Sequence, residues 1–248
     1  MVFRQWFDTN VEPGTVLVDS KNHKTFNPFW GGIPYRNWFD WWEVEDFASK
    51  TPAEWREEQG ISYGVFPASW IETMQQTTDG QAYLAQMLHL RDFTHPPEMR
   101  GPEVRVYRLW GIQNPLAVNF GPHIQLIGYD SSSDTVSAGH SLSLRFYWQA
   151  EATPPDNYSL FMHLVPVNEY TVLAQVDGAP TIPDRPTLTW DDRTETLISP
   201  QFNLPIPADL EAGTYRVFIG LYNYLDGQRL TIQTGEDALL LTEITVTD

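Results

Sequence analysis

Eight aromatic side chains crowd into one short segment, residues 26–42, among amide, guanidinium and carboxylate neighbours. Sugar rings present flat C–H faces that stack on aromatic rings, and their hydroxyls need polar partners, so this mixture favours glycan contact. The residues we select for that contact are Trp30, Tyr35, Trp38, Asp40, Trp41 and Trp42. The alternative is that the rings pack the segment onto the rest of the protein, because each aromatic side chain can bury ~150–250 Å². The sequence leaves both interpretations open.

Carboxylate pairs are the second candidate for chemistry, because two of them held ~5–9.5 Å apart across a glycosidic bond can hydrolyse it. Asp191 and Asp192 are adjacent and follow Trp190, and Asp130, Asp134, Glu236 and Asp237 are further candidates. Adjacent carboxylates in turns are usually only solvated. We therefore name no catalytic residue, and we rank glycan hydrolysis as the weakest of the functional hypotheses.

Metal binding has little support in the residue pattern. The chain has no cysteine, and its six histidines form no i,i+4 pair, so a zinc or iron site is not predicted. Calcium stays open, because sandwich loops often gather carboxylate and carbonyl oxygens. Aspartates near predicted turns are Asp130, Asp134, Asp177, Asp226 and Asp237, but none of them follows the twelve-residue helix–loop–helix spacing. We predict no obligatory cofactor.

The charge of the chain, −17 at pH 7, limits the choice of partners. After residue 112 there are seventeen acidic residues and five arginines, with no lysine beyond Lys50. Such a surface repels phosphate backbones, so nucleic acid is not an expected partner. No run of about 18 apolar residues occurs, and the first residues lack the apolar stretch of a signal peptide. Any membrane tether is therefore expected upstream of this sequence.

The first half, residues 1–112, is predicted to be a small three-layer α/β domain that carries the aromatic segment as an insertion. Thr51, Pro52 and Glu54 make a capping box with proline at the first helical position, and Gly60 ends that helix. The other predicted elements are strands 15–19, 61–67 and 103–109 and a helix over 79–90. Right-handed crossovers would make the three strands parallel. Residues 113–118 are predicted to be a linker.

The second half, residues 119–248, is predicted to be an immunoglobulin-like antiparallel β-sandwich. Period-two alternation is clearest in 141–150, and turn signals such as Asp226-Gly227 separate the segments. Tyr215 follows Leu210-Glu-Ala-Gly-Thr, which matches a tyrosine corner. The predicted strands are 123–129, 141–150, 158–165, 171–176, 194–204, 214–222, 228–232 and 239–247.

Several segments together resemble a known family. They are 120–130 (FGPHIQLIGYD), 144–150 (LRFYWQA), 161–164 (FMHL), 174–178 (AQVDG), 213–222 (GTYRVFIGLY), 55–64 (WREEQGISYG) and 101–108 (GPEVRVYR). This set resembles the C-terminal extracytoplasmic region of multi-spanning membrane glycosyltransferases of the mannosyltransferase-like, GT-C type. In that family the catalytic aspartates lie in the membrane portion, so the resemblance implies no catalytic residue in this chain.

The resemblance implies a non-catalytic extracytoplasmic accessory module that contacts a glycan or glycoprotein acceptor and is tethered through an upstream membrane domain. The lack of basic anchors suggests that it stands away from the lipid surface. The alternative is a structural or adhesive cell-surface module, whose sheet edges and exposed aromatic rings contact proteins or other copies of itself.

Overall fold

The structure is a computed structural model that describes residues 3–11, 16–19, 38–40, 47–94 and 103–248. It divides into two compact units, Met1–Gly111 and Ile112–Asp248; the first combines helices and strands, and the second consists mainly of strands. Among the helices that the structure describes, none is both long and apolar enough to cross a membrane.

The first unit is built on one five-stranded sheet in the order β2-β1-β3-β5-β4. Its elements are α1 (Phe3–Asn10), β1 (Val16–Asp19), β2 (Trp38–Asp40), α2 (Pro52–Gln59), β3 (Ile61–Pro67), α3 (Ala68–Gln75), α4 (Thr78–Leu84), β4 (Leu88–Phe93) and β5 (Val104–Arg108). Strands β2, β1 and β3 are parallel to one another, whereas β5 is antiparallel to both β3 and β4. The prediction of three parallel strands is therefore wrong for the last one, and the three-layer arrangement stays a prediction.

The capping box predicted at the start of α2 is confirmed. The Glu54 amide donates to Thr51 Oγ1 at 3.3 Å, and the Thr51 amide donates to Glu54 Oε2 at 2.7 Å. Gly60 ends the helix with φ = 69°, in the left-handed region that glycine adopts most easily. Trp55 is the main apolar anchor of α2, and it packs in a core cluster with Ile61 and Phe66.

The predicted helix over 79–90 is too long. The helix α4 ends at Leu84, and Leu88 opens strand β4, which pairs antiparallel with β5. The apolar residues of this stretch fit helical spacing, but Leu88 and Leu90 also alternate on a strand. Pairing with β5 makes residues 88–93 a strand instead of a helix, and β5 also runs antiparallel to β3. The sequence predicted no element at the position of helix α3.

The second unit contains two facing sheets. Its elements are β6 (Asn114–Phe120), β7 (Ile124–Ser131), β8 (Thr135–Ser137), β9 (Ser141–Ala150), β10 (Tyr158–Pro166), β11 (Ala174–Gly178), β12 (Leu197–Ile198), β13 (Phe202–Pro205), β14 (Gly213–Asn223) and β15 (Leu239–Thr247). One sheet has the order β11-β10-β14-β15-β8, and the other has β12-β9-β7-β6 with β13 also paired to β9. The sandwich is not purely antiparallel, because β8 is parallel to β15.

The core of this unit lies between the two sheets. Strand β9 has the predicted bounds, and Leu142, Leu144, Phe146 and Trp148 form its buried face. On the opposite sheet β14 contributes Val217, Ile219 and Leu221, and the corresponding residues of β10 are Leu160, Met162 and Leu164. Period-two alternation in the sequence therefore locates this core correctly.

Two local turn motifs also form as predicted. Tyr215 Oη donates to the Glu211 carbonyl at 2.9 Å, which is the bond of a tyrosine corner. At Asp226-Gly227 the glycine has φ = 75°, and an antiparallel bridge joins Tyr222 to Arg229 around the turn.

Other boundaries in the second unit differ from the prediction. The supposed linker 113–118 lies largely in β6, an edge strand on β7. Pro115 led to the prediction of a linker instead of a strand, although proline is tolerated in an edge strand. The predicted strand 194–204 is divided into β12 and β13, and 228–232 makes only isolated bridges. The three-residue strand β8 is too short to show a period.

Candidate functional site

The outer face of the sheet β11-β10-β14-β15-β8 carries unexpected aromatic residues. Leu160 and Met162 point into the core, so Phe161 and His163, at the alternate positions of β10, point outward. An outward face should be wet, yet Phe161 is only 2% exposed and His163 only 7%. Other side chains must therefore cover them. We call Phe161, His163, Tyr170, Phe218, Tyr222 and Arg229 the outer-face cluster.

Phe161 lies flat between backbone and a cation. A Cβ at Gly220, the residue opposite it on β14, would stand 2.3 Å from the ring atom Cζ, so only glycine lets the ring lie there. On the other side the Arg229 guanidinium is 4.2 Å from the ring centroid, a cation–π contact. Arg229 Nη1 is also 3.4 Å from Asp237 Oδ2. Phe161 and Arg229 therefore form a platform of fixed geometry, which we call the Phe161–Arg229 platform.

Tyr170 packs against other residues of the cluster and is partly open to solvent. Its hydroxyl is hydrogen bonded to His163 Nδ1 at 3.0 Å, and its ring meets Phe218 edge-on at 5.1 Å between centroids. These two contacts hold the ring in one orientation, although the residue is 49% exposed. Tyr222 extends the aromatic row beside Phe161, at 6.4 Å between centroids.

Electrostatics favour uncharged forms of both polar rings. Burial lowers the pKa of His163, the nearby Arg229 lowers it further, and Asp177 opposes the shift. Burial likewise raises the pKa of Tyr170, with a contribution from Asp237, while Arg229 acts in the opposite direction. At neutral pH the cluster therefore offers a neutral imidazole and a neutral phenol as hydrogen-bonding groups.

Exposed polar side chains surround the cluster. Asp177 and Gln175 on β11 stand opposite Phe161 and His163 in the antiparallel register, and side chains paired in this way share one face. Asp237 lies on the opposite flank, beside Arg229. A half-exposed aromatic ring near exposed hydrogen-bond acceptors suits a ligand that has both an apolar face and polar groups.

The site predicted in the aromatic segment falls almost entirely outside the described residues. Trp30, Tyr35, Trp41 and Trp42 lie there, and Trp38 and Asp40 belong to β2, whose backbone runs parallel to β1. Glycan contact by the residues of 26–42 stays a prediction.

Sequence analysis missed the outer-face cluster, although a signal was present. Strand β10 places apolar or aromatic residues at consecutive positions from Leu160 to Val165, so both of its faces lack the polar character of a wet surface. What the pattern could not show is the cover over the outer face, because Tyr170 comes from the loop after β10 and Arg229 from a segment more than sixty residues beyond the end of β10.

The acidic pair proposed for hydrolysis has structural partners. Asp192 Oδ1 accepts from the Thr194 amide at 2.8 Å and from its hydroxyl at 2.7 Å, and Asp191 is 3.9 Å from Arg185 Nη1. Trp190 is fully buried, and its Nε1 donates to the Arg185 carbonyl at 3.0 Å. These residues build the loop between β11 and β12.

The aspartates considered for calcium are dispersed. Asp130 accepts from the Gln113 amide at 2.8 Å and from Tyr147 Oη, and Asp226 accepts from the Gln228 amide at 2.8 Å. Within the part of the chain that the structure describes, no group of three or more His, Asp or Glu side chains could hold a metal ion. Calcium binding stays a prediction.

Comparison with known proteins adds little. No protein-family model matches the chain, and no curated protein matches it. Among solved structures it is similar to the crystal structure of the C-terminal domain of Wzt, at 14% identity over 53% of this chain and 77% of that one, with a TM-score of 0.37. Function is therefore inferred from the chain's own residues.

Proposed function

We propose that this chain is a non-catalytic module that contacts glycans through the outer-face cluster. The observation that carries the proposal is the half-exposed Tyr170 ring, held by His163 and Phe218 in a cluster that also contains the Phe161–Arg229 platform, with the exposed carboxylates Asp177 and Asp237 nearby. A sugar ring would stack its C–H face on Tyr170, and its hydroxyls would donate to the nearby carboxylates.

Preorganisation supports this assignment. Ordering a mobile side chain on binding costs ~0.5–1.5 kcal/mol, and the hydrogen bond of Tyr170 to His163 and its ring contact with Phe218 already supply much of that order. Aromatic rings with a polar tip are favoured at binding surfaces because one side chain gives both apolar area and a hydrogen bond.

The wider setting follows from the sequence resemblance and is proposed on that ground alone. We propose an extracytoplasmic location, an immunoglobulin-like sandwich topology, and attachment to a multi-spanning membrane glycosyltransferase. The aromatic segment 26–42 would then be a second glycan-contacting surface. Fractionation of the producing cells, with antibody detection of the native protein, tests location and membrane attachment together.

The direct test is binding to a broad glycan array followed by titration of the best ligand. Tyr170→Ala is expected to weaken binding about fivefold or more, because truncating a tyrosine that anchors a binding surface costs more than ~1 kcal/mol. Tyr224→Ala is the matched control, since Tyr224 is an exposed tyrosine outside the cluster. If the array gives no ligand, or if both variants bind like the unmodified chain, the cluster is not a glycan site.

One observation favours the adhesive alternative. The turn after β14 exposes Tyr224 and Leu225, and Leu225 is 86% exposed. Exposed apolar residues at a loop tip suit contact with a protein. Light scattering over a concentration series is the test, and Leu225→Ser should abolish any self-association that this tip supports.

A further inference from the structure

We infer that the glycan taken by the outer-face cluster is a neutral, hydroxyl-rich chain rather than an acidic one. This inference rests on the proposed function and names its ligand class. It follows from which charged groups of the site are already engaged and which still face solvent.

The single cation of the cluster is already committed. The Arg229 guanidinium carbon lies 4.2 Å from the centroid of the Phe161 ring, and Arg229 Nη1 is 3.4 Å from Asp237 Oδ2. An arginine that recognises a carboxylate or phosphate usually does so with two parallel N–H donors from its planar fork. Here the Arg229 side chain is 34% exposed, but it already contacts the Phe161 ring and Asp237, so an incoming anion would have to compete with Asp237 for it.

The two carboxylates near the cluster, in contrast, are open to solvent. Asp177 and Asp237 are both exposed, and each is close enough to influence the ionisation of a cluster ring, His163 for the first and Tyr170 for the second. Ionised carboxylates only accept hydrogen bonds. They therefore match sugar hydroxyls and repel uronate, sulfate or phosphate groups.

The charge of the surrounding chain acts in the same direction. Residues beyond 112 include seventeen acidic side chains and five arginines. A polyanionic glycan would approach against this field, whereas a neutral glycan would not be affected by it. Binding of a neutral chain is therefore expected to change little with ionic strength.

The test is calorimetric titration of the full chain with length-matched hexasaccharides. Neutral probes are hexamers of glucose, mannose and galactose, and acidic probes are hexamers of galacturonate and mannuronate. We expect at least one neutral probe to bind, with weaker or no binding of the acidic ones. Raising NaCl from 50 to 500 mM should change the neutral affinity less than about twofold.

Charge-neutralising variants give a signature with opposite signs. Asp177→Asn should weaken the neutral probe by about tenfold, the loss of one charge-assisted hydrogen bond, and strengthen the acidic probes. Asp237→Asn should do the same and, by releasing Arg229, should raise acidic binding further. Asp209→Asn is the matched control, because Asp209 is exposed in the connection between β13 and β14 and outside the cluster.

The outcomes separate this inference from the proposed function. If an acidic hexamer binds best and its affinity falls steeply with salt, the ligand class is wrong although the cluster is a glycan site. If Asp177→Asn and Asp209→Asn weaken the neutral probe equally, the carboxylate does not contact the sugar, and the inference fails. If no probe binds and the glycan array is also empty, the proposed function itself is overturned.

Discussion

The loop between β11 and β12 is held by a buried ion pair, and Glu195→Gln is expected to destabilise the second unit by about 3 kcal/mol or more. Arg185 is 4% exposed and Glu195 is 1% exposed, and Arg185 Nη2 donates to Glu195 Oε2. The change keeps the shape of the side chain but removes its charge. The guanidinium then stays buried, with the exposed Asp191 carboxylate, 3.9 Å from its Nη1, as a weaker counter-ion.

The size of this effect follows from burial. Breaking a buried pair by removing one partner usually costs about 3–5 kcal/mol, because the remaining charge has lost both water and its counter-ion. The remaining contacts offset part of this cost, since Arg185 Nη1 also donates to the Thr189 carbonyl at 2.6 Å. For a domain of this size about 3 kcal/mol corresponds to a fall in Tm of roughly 10 °C.

The assay is urea unfolding and thermal melting of the full chain, followed by the near-ultraviolet signal of buried aromatic residues, since Trp190 lies in this loop. Asp191→Asn is the matched control, because it removes the same charge from an exposed carboxylate whose Oδ1 is 3.9 Å from Arg185 Nη1. It should cost about 0–1 kcal/mol. If Glu195→Gln costs no more than Asp191→Asn, burial does not determine the strength of this pair and the reasoning is refuted.

Three further predictions concern separate features. Gly220→Ala should displace the Phe161 ring, because the new Cβ would overlap that ring. The change should lower the free energy of unfolding in urea by about 1–3 kcal/mol and weaken glycan binding. Unchanged binding would show that the Phe161–Arg229 platform does not support the site. Tyr215→Phe should cost about 1 kcal/mol in the same assay by removing the bond to the Glu211 carbonyl, and a neutral result would make the corner dispensable. In the first unit, burial of Asp92 opposes its ionisation, but the hydrogen bond and charge of His89, together with Arg105, outweigh burial and lower the pKa. The stability contributed by this carboxylate is present above its unfolded-state pKa and is lost as the pH falls through the lower folded-state pKa. Asp92→Asn should therefore make the free energy of unfolding in urea less dependent on pH on the acid side. An unaltered pH dependence would contradict the lowered pKa of Asp92.

Features that depend on neighbours in sequence were readable from the residues alone. The capping box at Thr51, the left-handed Gly60, the bond of Tyr215 and the strand 141–150 each depend on a few consecutive side chains. Their physics is local: an orphan amide finds an oxygen three residues away, or alternate side chains fall on opposite faces.

Features that depend on distant partners were not readable. Residues 88–93 carry a pattern that suits a helix or a strand, and only pairing with β5 makes them a strand and makes β5 antiparallel to β3. The outer-face cluster is a stronger case, because Phe161 faces what should be the wet side of its sheet. It is buried there only because the tertiary fold brings Arg229 over its ring, and an alternation pattern contains no information about that cover.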